Sequence, residues 1–193
     1  GDPKPTLELA RGLAALGARA ITVHGRIKEA VYSGPVDFGQ IRLVREALPD
    51  VQVIANGGVT GLEKYREIRR ETGCAVVMVA RGAMGNPWLF RELTEGGNFS
   101  GPTLEEWAGV VRSHVYGMIE LYGEESAMRI SRKILHDYFR GRGFPGGIKA
   151  ELSTIASRSG FDALLERALA SHSSGYWDRI AGRPDAERRL RRE

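Results

Sequence analysis

The chain has 193 residues and a single cysteine, Cys74, so no disulfide framework can form within it. That scarcity fits a reducing compartment, and the reading is a cytoplasmic protein. No run approaches the roughly 18 apolar residues of a membrane span, which predicts no membrane association. The opening, Gly1-Asp2-Pro3-Lys4-Pro5, has neither the apolar core of a signal peptide nor an initiator methionine. The missing methionine fits either processing or a fragment of a longer chain. No metal site is read from the sequence. Beyond residue 103 the β-branched runs that mark strands are missing as well.

What is present is 42% hydrophobic residues and a formal net charge of +4. That suffices for one ordinary domain, or for a small domain plus part of another. A mildly basic balance is compatible with a polyanionic partner, and the distribution of the charge says more than its total.

Residues 6 to 17 predict a helix, with Leu7, Leu9, Ala10, Leu13, Ala14 and Leu16 at helical spacing and Gly17 as its cap. The run Ala20-Ile21-Thr22-Val23 reads as a buried strand leading into His24-Gly25-Arg26. The phrase then repeats. A helix at 37–48 precedes the strand 51–55, which opens into Asn56-Gly57-Gly58. A helix at 62–72 precedes the strand 75–79, which opens into Ala80-Arg81-Gly82. Helix, strand and Gly-rich loop in series predict α/β organisation around a parallel sheet. The Gly- and Pro-rich stretch 95–103 reads as a linker, and the composition changes near residue 100. After it, Thr103 and Glu106 form a capping box that starts a helix carrying Trp107, Val110, Val111, Val115 and Met118. Further helices are predicted at 126–139 and, as a shorter pair, across 148–170.

In parallel α/β folds, ligands sit at the carboxyl ends of the strands. Here those ends are His24-Gly25-Arg26, Asn56-Gly57-Gly58 and Ala80-Arg81-Gly82. Glycines let the backbone approach a ligand and turn its N–H groups toward it, and the N-terminus of the following helix favours an anion. Arg81 adds a fixed positive charge, so the pair of loops reads as a phosphate site. Each element alone has a plainer use. A Gly-Gly pair makes a tight turn, Arg81 forms a surface ion pair, and His24 serves as a hydrogen-bonded core histidine.

Four segments together resemble the tRNA-dihydrouridine synthase family, in its bacterial type. They are ITVHGR (21–26), VIANGGVT (53–60), VMVARGAMGNPWLF (77–90) and SRKILHDYFRGRGFPGGIKAEL (131–152). The resemblance implies a fold class of α/β, the last three βα units of a TIM (β/α)8 barrel, followed by an all-α helical domain. A complete barrel needs about 250 residues, more than are present. The implied domains are 1–95, part of an FMN-binding barrel, 103–175, a helical tRNA-binding domain, and 176–193, a charged tail. The implied activity is reduction of the C5=C6 bond of uridine in tRNA, with FMN as cofactor and NADPH as reductant, by a protein that is monomeric at full length. Carried over by position, Asn56, Gly57, Gly58, Ala80 and Arg81 hold the FMN phosphate, Gly82 lies just beyond, and His24 sits near the flavin. Many relatives have Asp at the position of Gly58 and Gly at that of Ala80. The catalytic cysteine expected by resemblance lies after the third strand, outside this chain. Cys74 instead reads as a small buried residue between a helix and a strand. The alternatives are a different FMN-dependent TIM-barrel oxidoreductase and a non-catalytic tRNA-binding fragment.

Between residues 127 and 149, Arg129, Arg132, Lys133, Arg140, Arg142 and Lys149 face only Asp137. Arg129, Arg132 and Lys133 share one helix face, and Tyr138, Phe139 and Phe144 interleave with the later charges, Phe139 reading as core rather than as a base-stacking platform. A basic patch with aromatics suits RNA read by shape, although a charge run also serves as a solvated face. The resemblance selects Arg132, Lys133 and Arg142 as RNA-binding. Trp88 and Phe90, after Asn86-Pro87, are expected to pack the barrel's last helix against the helical domain.

Overall fold

The computed structural model describes residues 4–26 and 35–172. The charged tail read at 176–193 lies outside the described residues, as do 173–175 of the predicted helical domain. The chain forms two compact units that divide at Gly82–Ala83.

The first unit runs α1 (Lys4–Ala15), β1 (Ala20–His24), α2 (Phe38–Ala47), β2 (Gln52–Asn56), α3 (Leu62–Thr72) and β3 (Val76–Met78). The strands form one parallel sheet in the order β1-β2-β3, with Ala20 opposite Gln52, His24 opposite Asn56 and Asn56 opposite Met78. The fold is therefore α/β with crossover helices. Helix α2 starts where Asp37 Oδ1 accepts the Gln40 amide at 3.0 Å. Helix α3 stops at Gly73, whose φ of 69° ends the turn, while Thr72 Oγ1 donates to the Ile68 carbonyl and accepts the Cys74 amide.

Side chains alternate across a strand. Val23, Val53 and Ala55 are buried, on the side where α2 and α3 pack together with Ile41, Val44 and Ile68. The opposite row carries Thr22, His24, Ile54, Asn56, Val76 and Met78, and there Val76 and Met78 are 42% and 40% exposed. Strand β3 is two residues shorter than its apolar run suggests. Its hydrogen bonds come only from β2, and pairing reaches no further than Val76–Met78.

The second unit is helical throughout its described residues. A short 3-10 turn at Arg81–Ala83 leads into α4 (Leu89–Thr94), α5 (Leu104–Tyr122), α6 (Glu124–Phe139), α7 (Gly146–Glu151) and α8 (Arg158–Ala170). Helices α5 and α6 meet at Gly123 and pack on each other, as short connections require. The core joins Trp107, Val111 and Val115 of α5 to Leu135 and Phe139 of α6 and Phe161 and Leu165 of α8. Trp107 sits 4.9 Å from both Phe139 and Phe144, ring centre to ring centre. The Gly- and Pro-rich stretch 95–103 lies inside this unit, connecting α4 to α5. The division falls earlier, because Trp88 packs on the helical core and Gly85 lies against the backbone of α6. Phe90 does not share that role: it is 52% exposed.

The capping box is complete. Thr103 Oγ1 accepts the Glu106 amide at 3.1 Å, and Glu106 Oε2 accepts the Thr103 amide at 2.8 Å. Replacing Thr103 with Ala removes one of these bonds and exposes an unmatched amide. The expected loss is about 1 kcal/mol in the unfolding of this unit, read as a lower denaturant midpoint at unchanged slope.

Candidate functional site

The carboxyl ends of β1 and β2 are tied together at the Asn56 carbonyl. It accepts the Gly25 amide at 3.1 Å, and His24 Nδ1 lies 3.2 Å from the same oxygen. Only a protonated Nδ1 can donate to a carbonyl, so this contact selects that tautomer and leaves Nε2 of a neutral ring as an acceptor. His24 is exposed, on the sheet face opposite the helices. It is a rim residue rather than a core histidine.

Beyond Asn56 the backbone makes a bend that only glycine follows easily, with φ 155° at Gly57 and 68° at Gly58. Space is tight at Gly57, where a Cβ would stand 2.8 Å from Val36 Cγ1, whereas a Cβ on Gly58 would make an ordinary contact, 3.4 Å from Arg26 Nη2. Glycines at a strand end let a ligand approach the backbone closely. Helix α3 follows with Gly61 at its N-cap, a residue with no side chain to occupy the helix end. Ala80 is exposed beside Arg81 and Gly82, which are half-buried at the third strand end.

Arg26 belongs to this group, although nothing in the spacing alone assigns it a role. Its pKa is lowered, first by burial and then by the charge of Arg81 at the third strand end. The signal available in the sequence was its position two residues past a strand end, beside His24. Val36 is the other residue missed. It walls Gly25 and Gly57 from a part of the chain with no motif of its own.

In the second unit the basic residues separate. Lys133 is exposed on α6, as is Arg129 one turn before it. Arg132 is half-buried, and its Nε donates to the Ile155 carbonyl at 3.1 Å. Arg142 is only 9% exposed, with its guanidinium 5.3 Å from the centre of the Trp88 ring. Arg140 pairs with Asp137 at 3.1 Å. The interleaved aromatics do not form a stacking platform: Tyr138, Phe139 and Phe144 are all buried. The Tyr138 hydroxyl lies 3.0 Å from His114 Nδ1, and burial pushes its pKa up. Helical spacing leaves Arg129 and Lys133 exposed on α6, and the rings are buried by packing with α5 and the turn at Phe144.

Cys74 is buried and in no disulfide, following the Thr72 cap. Among the described residues, no group of three or more His, Cys, Asp and Glu side chains could hold a metal ion, and no helix is long and apolar enough to cross a membrane.

The family model described as dihydrouridine synthase matches residues 2–173 of the 193. The chain belongs to the dihydrouridine synthase family. Among similar proteins, tRNA-dihydrouridine synthase B of Pasteurella multocida is 34% identical over 144 residues, covering 72% of this chain and 43% of that protein. The tRNA-dihydrouridine synthase B of Vibrio parahaemolyticus is 30% identical over 185 residues, covering 93% and 54%. That of Pseudomonas putida is 32% identical over 148 residues, covering 75% and 43%. The chain thus spans about half the length of the curated relatives it matches. The family match takes in both units, from the strand ends with their glycine bend to the charged helix α6.

Proposed function

We propose that this chain is the C-terminal part of a tRNA-dihydrouridine synthase, a cytoplasmic flavoenzyme that reduces uridine to 5,6-dihydrouridine in tRNA with FMN as cofactor and NADPH as reductant. The observation that carries the reading is the glycine bend at Gly57–Gly58 next to Arg81, in a member of this family. A glycine bend that lets the backbone come close to a ligand fits a terminal phosphate. Asn56, Gly57, Gly58, Ala80, Arg81 and Gly82 would hold that phosphate, and His24 would face the flavin from the end of β1. When bound, the flavin supplies the hydride chemistry.

The chain's own residues grip and orient. Amides of the bend offer hydrogen bonds, Arg81 offers a charged fork, and His24 is held in one tautomer by the Asn56 carbonyl. Cys74 is buried, so the thiol that would donate a proton to the uridine ring is expected outside this chain. The sheet supports a barrel origin. Parallel sheets are covered on both faces, and here helices cover one while Val76 and Met78 stand open on the other. We read residues 1–95 as the end of that TIM barrel and 103–175 as a tRNA-binding domain. There exposed Lys133 would meet a phosphate directly, whereas half-buried Arg132 and buried Arg142 would shape the surface around it.

The purified full-length protein is expected to show flavin absorption near about 370 and 450 nm. Transfer RNA from a strain lacking the gene is expected to lose dihydrouridine at one or more positions, measured by mass spectrometry of nucleosides. A colourless protein together with unchanged dihydrouridine would overturn the proposal.

A further inference from the structure

We infer that Arg26 is a second cationic clamp at the Gly57–Gly58 bend, and that with Arg81 it makes the site selective for a terminal phosphate dianion over the same ligand without phosphate. The inference rests on the reading of this rim as a mononucleotide phosphate site, and adds to it a residue and a basis for selectivity.

Three observations carry it. First, Arg26 Nη2 lies 3.4 Å from the point where a Cβ of Gly58 would stand, so the guanidinium reaches over the bend itself. Second, Arg26 and Arg81 come from different strand ends and interact electrostatically across the rim, with Arg26 partly withdrawn from water. Third, the base of Arg26 is fixed. Gly25 donates to the Asn56 carbonyl at 3.1 Å and accepts from the Asp37 amide at 2.6 Å, and the Val36 side chain closes on the same residue. Two like charges held at one rim repel each other. A dianion placed between them relieves the repulsion, while an uncharged group does not. Arginine also binds phosphate oxygens in pairs, with a geometry that lysine lacks.

The test compares FMN with riboflavin, which has the same ring and no phosphate. Dissociation constants are measured by quenching of flavin fluorescence on full-length protein, wild type and the variants Arg26→Gln and Arg26→Lys, with circular dichroism to verify folding. Arg26→Gln is expected to weaken FMN about tenfold or more, the scale of one charged hydrogen bond, and to leave riboflavin within about twofold. Arg26→Lys, which keeps the charge without the fork, is expected to fall between. FMN binding within about twofold of wild type in Arg26→Gln would overturn the inference, and so would equal weakening of FMN and riboflavin. If Arg26→Gln does not fold, Arg26→Lys decides, and an unchanged ratio of the two constants overturns the inference. Wild-type protein that binds neither flavin refutes the function proposed above. Wild-type binding without an Arg26 effect refutes this inference alone.

Discussion

Gly85→Ala is expected to lower the melting temperature of the helical unit by more than about 10 °C. Two costs combine. Gly85 has a φ of 64°, a left-handed conformation that costs an L-residue about 1–2 kcal/mol. A Cβ there would also stand 2.5 Å from both the Asp137 carbonyl oxygen and the Tyr138 amide nitrogen. These are backbone atoms in the last turn of α6, so no rotamer change can clear them. The segment after Arg81–Ala83 would have to lift from α6, adding about 1–3 kcal/mol. A total of about 2–5 kcal/mol corresponds to roughly 10–25 °C in a unit of this size. Gly96 provides the control. Its φ is 65°, almost the same, but no atom lies within 4 Å of its added Cβ. Gly96→Ala should therefore show the conformational cost alone. Equal melting temperatures for the two variants would show that the approach to α6 is irrelevant, against this account.

Trp107→Ala has the next largest expected effect, about 3–5 kcal/mol in unfolding free energy. Trp107 is fully buried, touches the Phe139 and Phe144 rings in tilted and edge-on geometry, and donates its indole N–H to the Tyr138 carbonyl at 3.3 Å. Its loss opens a cavity bounded by two rings that pack on each other at 4.6 Å and therefore collapse poorly. It also leaves the Tyr138 carbonyl without that donor. Trp107→Phe separates the terms. Most of the ring contact survives and only the hydrogen bond goes, so about 1–2 kcal/mol is expected. Urea titration followed by far-ultraviolet circular dichroism measures both. A Trp107→Ala midpoint close to wild type would mean that the three rings are not the centre of this core.

The two variants probe the same seam from opposite sides. Tyr138 is flanked by Trp88, at 6.4 Å between ring centres, and by His114, at 5.8 Å. Its backbone receives Trp107 and limits Gly85. The end of α6 is thus where the Asn86-Pro87-Trp88 segment is anchored within the helical unit. This explains why the compact units divide before that segment and not at the Gly- and Pro-rich stretch nearer residue 100. Composition marks where the chain changes character. Contacts mark where it changes partners.

Short-range patterns were legible in the sequence because they depend on near neighbours. The repeated helix–strand phrase determined the parallel α/β order, since β-branched runs and helical apolar spacing are properties of five to twelve successive residues. The Thr103–Glu106 box determined where α5 begins, and Asn56-Gly57-Gly58 determined a bend at a strand end. Tertiary structure decided everything that joins residues far apart in the chain. It brought Arg26 to the same rim as Arg81, although 55 positions separate them in the sequence. It withdrew Arg142 beneath Trp88 and turned Tyr138 and Phe144 into the core, because α5 presents Trp107 to them and a buried ring gains more from that contact than from water. Among the described residues it also left Val76 and Met78 exposed on the sheet face opposite α2 and α3. Spacing assigns a residue to a face, and only packing determines what that face meets.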